Sequence, residues 1–236
     1  MDSPVSVSAV ALAPCEPGIP CRSMEIEAVT TGIGVIMRKG AAGVLATLAA
    51  FTVAPAAVAA PRVSTTVVIN EVSTRGPGGE LDEFLELRNI STVPQDLSTF
   101  QLKFFSPTCA ILRTIVLPAG LVLSPANSPG QFLVATNQGF SGTVEDPTNV
   151  LMFAVDEGPG LLPSQAGALA LVSPTGQRVD ALAWAAPLTS TCRQEGNPAR
   201  TPPPLLDASM SRDFLSTDTD DNLRDFSLQR RSPGAP

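Results

Sequence analysis

Residues able to do acid–base or metal chemistry gather in two stretches of this chain. Glu71, Asp82, Glu83 and Glu86 form the first. A glycosidase needs two carboxyl groups held a few ångströms apart across a sugar cleft, so this set is the candidate for hydrolysis. The alternative is structural, and it is the one preferred. Asn70-Glu71 and Glu86-Arg88-Asn89 are expected at or near strand ends, capping edge backbone groups or pairing with Arg. The second stretch is Asp218-Thr-Asp-Asp-Asn222, where Asp218, Asp220 and Asn222 have the 1-3-5 spacing of a calcium loop. The remainder of that pattern is missing. Leu223 occupies the glycine position, and Gln229 stands where a bidentate Glu belongs. Asx-turns account for the same residues without an ion, and calcium stays open as a ligand.

Other chemistry is excluded by residue type. The chain has no His, and its only lysines are Lys39 and Lys103. Ser-His-Asp and Cys-His machinery and His-ligated zinc are therefore ruled out. Gly76-Pro-Gly-Gly79 has neither the Lys nor the following helix of a phosphate cradle and is expected to be a turn. A net charge of −7 argues against a nucleic-acid partner. Arg212, Arg224, Arg230 and Arg231 are expected to make solvated pairs, with Asp213 and Asp225 among the partners, and to contribute little.

The elements that must carry these residues are short. From Val63 onward, apolar runs alternate with turn residues, in a chain with 23 Pro and 18 Gly. Strands are expected at 67–72, 84–89, 100–105, 111–117, 131–136, 150–155, 168–172 and 178–184. In 100–105, Phe100, Leu102 and Phe104 alternate with Gln101 and Lys103, the signature of a half-buried strand. Ser173-Pro-Thr-Gly176 joins the last two as a hairpin turn. No helical stretch of convincing length appears, residues 185–208 look loop-like, and 213–225 is Asp-dense. The pattern predicts an all-β, two-sheet sandwich.

Upstream, residues 37–59 have the organisation of a secretory signal peptide. Arg38-Lys39 is the positive region, 41–53 the apolar region, and Ala57-Val-Ala59 the cleavage pattern. Residues 1–36 are then a doubtful N-terminal extension, and 60–236 is the mature domain. Export gives a secreted or extracellular location without a stable membrane anchor in the mature form; a signal-anchored membrane form is the alternative. In an oxidising compartment, Cys109 and Cys192 have a single mutual pairing, and a disulfide is expected.

Taken in order, Ile69-Asn-Glu71, DEFLELRN (82–89), DLSTF (96–100), QFLVAT (131–136), QAGALALVSPTGQRVDALAW (165–184), SMSRDF (209–214), TDTDDNLRDF (217–226) and SPG (232–234) resemble the lamin-tail domain family, in its exported bacterial type. Arg88 stands where the family often has an aromatic, and Phe100 where Trp is common. The resemblance implies an immunoglobulin-like β-sandwich with no established active site. Asn70, Glu71, Glu86, Asn89 and Asp180 would be structural signature residues. The function expected is non-catalytic: an extracellular binding or structural module that presents loops to a protein or polysaccharide. A carboxylate-based extracellular hydrolase and a calcium-stabilised adhesin are the alternatives.

Overall fold

A computed structural model describes residues 63–153, 160–185, 192, 195–203 and 207–235. The leader at 37–59 and the stretch before it lie outside the described residues. Among those described, no helix is long and apolar enough to cross a membrane. Thirteen strands and one short helix follow in order: β1 Val67–Ser73, β2 Phe84–Asn89, β3 Gln95–Asp96, β4 Gln101–Phe105, β5 Ile111–Val116, β6 Val122–Leu123, β7 Phe132–Asn137, β8 Val150–Phe153, β9 Ala166–Val172, β10 Arg178–Ala185, β11 Ala199–Arg200, β12 Ala208–Ser211, α1 Asn222–Asp225 and β13 Ser227–Arg230.

The strands build two main sheets. One runs β13-β12-β1-β2-β7-β8 and the other β11-β10-β9-β4-β5, with β3 and β6 forming a separate two-stranded ribbon. All neighbours are antiparallel except β7–β8 and β10–β11, which are parallel. The sheets face one another through one apolar cluster. Ile69, Leu85, Leu87 and Leu133 come from the first, and Leu102, Phe104, Leu169, Leu171, Leu182 and Trp184 from the second. Phe104 and Phe153 meet across the interface with ring centroids 6.0 Å apart. Trp184 is fully buried, and its indole N–H is satisfied by the Pro163 carbonyl at 2.8 Å. The molecule is an all-β sandwich.

The eight strands expected from period-2 patterning are all present. Strand β4 behaves as its alternation dictates, with Leu102 and Phe104 in the core and Gln101 and Lys103 half-buried. The C-terminal third departs from expectation. The loop-like 185–208 contributes β11 and the first residue of β12, and the Asp-dense segment contains α1 and leads into β13. These elements were hidden because Ala-Ser-Met-Ser and Ser-Leu-Gln-Arg carry little apolar alternation. They are held by their neighbours rather than by their own pattern: β12 pairs with β1 through Glu71↔Ser211 and Val72↔Met210, β13 pairs with β12, and β11 with β10.

A bulge in β1 decides which side chains meet. Strict alternation would put Glu71 on the core face with Val67 and Ile69. The register shifts between Ile69 and Glu71, so Val72 enters the core and Glu71 turns to the opposite face. There it lies directly across from Glu86 of β2.

Cys109 and Cys192 form a disulfide, with Cα atoms 4.8 Å apart and a sequence separation of 83. It fastens the β4–β5 turn to the chain beyond β10, beside a hydrogen bond from Cys192 N to the Pro107 carbonyl. Replacing both cysteines by Ser is expected to cost about 4 kcal/mol of stability, as closure of a loop this long should. Urea unfolding without reductant measures it. A loss below about 1 kcal/mol would mean the crosslink restrains little in the unfolded chain.

Candidate functional site

The sandwich has a polar layer that is nonetheless dry. On the face of the first sheet away from the core, Glu71, Phe84, Glu86, Arg88, Thr136, Ser209 and Ser211 are all buried. Loops cover them, and the carboxylates hold the loops down. Glu71 accepts hydrogen bonds from Ser209 Oγ at 2.6 Å, from Ser232 N at 2.9 Å and from Ser232 Oγ at 3.0 Å. Glu86 accepts from Asn70 Nδ2 at 2.7 Å and from Gly234 N at 2.6 Å. The segment Ser232-Pro233-Gly234 is thus strapped across two adjacent acids. Gly234 has φ of 84°, and a Cβ there would collide with the backbone N of Asp146, so the strap requires glycine at this point. The strap continues through a bond from Glu145 N to the Pro233 carbonyl.

These placements correct the expectation that Glu71 and Glu86 cap strand ends. Both sit within central strands, and their partners are the neighbouring Ser209 and Asn70 together with Ser232 and Gly234 of the strap. Asn89, by contrast, does serve the end of its strand. Its Nδ2 donates to the Val93 and Ser124 carbonyls, and its Oδ1 accepts from Ser91 N. Asn70 links Glu86 to the β12–α1 loop, since its Oδ1 accepts from Ser216 Oγ.

Asp82 and Glu83 do comparable work. Asp82 takes the backbone N of Gly78 and Ser141 and pairs with Arg231 at 2.8 Å. Burial pushes its carboxyl up, but Arg231 and the bonds from Ser141 and Gly78 together hold it well below the usual range. Arg231 lies over Phe84 and Phe140, 5.3 Å from each ring centroid. Glu83 receives Leu161 N at 2.7 Å, Leu162 N at 2.9 Å and Asn137 Nδ2 at 2.8 Å. All four acids considered for hydrolysis are therefore engaged with the protein itself. They are split between separate anchoring points; Glu71 and Glu86 alone share one.

At the other end of β1 lies a denser node around Arg212. Its Nε donates to the Ile69 carbonyl at 2.9 Å, its Nη2 to Asp180 at 3.0 and 3.2 Å, and its Nη1 to Thr217 O at 2.7 Å and Asp225 at 3.0 Å. The guanidinium also lies 4.5 Å from the centroid of Phe226. Asp180 shares the β10 face of Leu182 and Trp184, and it accepts the backbone N–H of Ile69 and of Ala181. The expected solvated pairing of Arg212 is corrected accordingly. It is buried, as is Asp180, and Arg231 is nearly so.

The three residues with calcium-loop spacing are committed separately. Asp218 takes the backbone N of Ser64 and of Asp220 and faces Arg212 at 3.5 Å. Asp220, in the left-handed region at φ of 58°, pairs with Arg178 at 3.3 Å. Asn222 turns inward to the edge of β10. Its Oδ1 accepts Ala183 N at 2.8 Å, and its Nδ2 reaches Ala181 O at 2.8 Å and Glu195 at 3.2 Å. The physical reason is Asp221, which caps α1 through Leu223 N and starts a helical turn where an ion-wrapping loop would continue. Glu195 escaped sequence reasoning, as did the burial of Arg212 and Arg231, although Asp225 was among the partners expected and does pair with Arg212. Asp180 lies 32 residues from Arg212, Asp82 lies 149 from Arg231, and Glu195 sits inside an apparent loop, so no local spacing marks the burial.

Burial, and next to it the charge of Glu71, pushes the Glu86 carboxyl up to about 8. A carboxyl raised above its unfolded value of 4.5 stays neutral in the folded protein between those pH values, whereas the unfolded chain ionises. Its contribution is complete below pH 4.5 and is lost as pH rises through 8. The melting temperature should fall between pH 5 and 8, and Glu86→Gln should make that fall shallower. Equal slopes for the two proteins in a calorimetric pH series would refute the assignment. Neither a protein-family model nor a curated protein matches this chain.

Proposed function

We propose that the chain is a non-catalytic extracellular binding or structural module, a lamin-tail-type sandwich with immunoglobulin-like architecture that displays loops to a protein or polysaccharide. One observation carries this reading: the buried carboxylates are spent on fixing backbone. Glu71 and Glu86 hold 232–234, Glu83 holds 161–162, and Asp82 holds 78 and 141. Loops restrained in this way lose little conformational entropy on meeting a partner, which favours recognition. The disulfide accords with an oxidising location and so with export.

The competing reading, a carboxylate hydrolase, draws on Glu71 and Glu86. They are adjacent acids whose carboxyls are both raised, Glu71 chiefly by burial, as in proton-sharing dyads. Against it, the strap lies over both, and a substrate would have to displace Ser232 and Gly234. Arrays of glycans and extracellular proteins probed with the disulfide-intact protein should return a saturable ligand. No retention there, together with turnover on a glycoside panel that disappears in the Glu71→Gln, Glu86→Gln double variant while it stays folded, would replace the binding module with the enzyme.

A further inference from the structure

We propose that Asp180, Glu195 and Asp218 form a binding site for a hard divalent cation of the calcium class, seated between β10 and the loop that follows β12. One carboxylate oxygen from each residue lies within 4.8 Å of the other two. Oxygens this close to one another are within the span of a single ion's coordination shell, in which two ligands at about 2.4 Å from calcium are at most about 4.8 Å apart. The set shares only Asp218 with the spacing-based candidate; the other two donors come from β10 and from the segment before β11.

The second observation is Glu195 itself. Its side chain has no exposed surface, and its Oε1 accepts no hydrogen bond. Among the described residues, that oxygen faces Arg178 Nε at 3.6 Å, with 32 % of the Arg178 side chain exposed, which makes a loose ion pair. The other oxygen receives only Asn222 Nδ2 at 3.2 Å. A buried carboxylate oxygen left in this state is costly, and the fold otherwise satisfies nearly every such atom.

Charge points the same way. Among the described residues, Asp180, Glu195, Asp218, Asp220 and Asp225 converge on two cations, Arg178 and Arg212. The surplus negative charge is concentrated on Glu195, whose carboxyl is pushed up by burial and by the neighbouring Asp180 and Asp218. Either a proton or a metal ion can neutralise it. A divalent ion engages three carboxylates at once, whereas a proton relieves one. Asp180 would then bridge the ion and Arg212. The guanidinium's repulsion limits the affinity, which places it in the range of extracellular modules, on the order of 0.1–1 mM.

The test is the melting temperature of the protein in EDTA and in 10 mM calcium chloride, joined to calorimetric titration of the EDTA-treated protein with calcium. Calcium should raise the melting temperature by roughly 5 °C. Glu195→Gln should abolish both that shift and the binding heat, while Asp220→Asn should keep them. An unchanged melting temperature with no binding heat in the wild-type protein overturns the proposal and leaves Glu195 neutralised by a proton. A shift lost in Asp220→Asn but kept in Glu195→Gln also overturns it, by moving the ion to the 218–222 loop. Should Glu195→Gln fail to fold, the wild-type titration decides by the presence or absence of calcium heat.

Discussion

The buried guanidinium of Arg212 is the interaction on which the rest of this structure depends. It reaches the Ile69 carbonyl in one sheet, Asp180 in the other, and Thr217 and Asp225 in the loop that closes over both. The need for it lies where the pairing of β1 with β12 stops, at Glu71↔Ser211. Beyond that point the N–H and C=O of Ile69 are satisfied by side chains: Asp180 takes the first and Arg212 the second. Hydrophobic burial holds the faces of the sandwich together, but it is non-directional. A charged pair with fixed geometry at the sheet junction specifies how they meet.

The same solution recurs with other acids. A sandwich with little helix must return many loops over its outer faces, and each loop brings backbone N–H groups that need acceptors. Here carboxylates supply them: Glu83 for Leu161 and Leu162, Glu71 for Ser232, Glu86 for Gly234, Asp82 for Gly78 and Ser141. Asn222 does the equivalent for β10 by offering its amide as a substitute for a neighbouring peptide. Among the described residues, seven of the chain's 22 acidic residues are buried, so part of the acidic composition is internal architecture rather than surface charge. Glu71 and Glu86 bear the cost: burial raises both carboxyls, and the charge of Glu71 adds to the rise at Glu86.

What was legible in the sequence followed from local periodicity. The strands at 67–73, 84–89, 101–105 and 166–172 announce themselves by β-branched or alternating residues, and their burial forms the core. The disulfide was legible because the expected mature domain, 60–236, holds two of the four cysteines and so allows one pairing. Long-range polar partnership was not legible. Glu86 and Gly234 are separated by 148 positions, and Asp180 and Arg212 by 32. Nothing in the spacing of either pair distinguishes a buried anchor from a solvated charge. The bulge was equally hidden, although it alone determines that Glu71 faces the strap and Val72 the core.

The central claim is that Arg212 and Asp180 act as one buried unit joining the sheets. A double-mutant cycle on Arg212→Met and Asp180→Asn, read by urea unfolding, tests it most directly. Each single substitution should cost about 3–5 kcal/mol by leaving an uncompensated buried group, and the double variant should cost clearly less than their sum. Single losses under about 1 kcal/mol, or strictly additive ones, would contradict the account, since that is how solvent-exposed, independent charges behave.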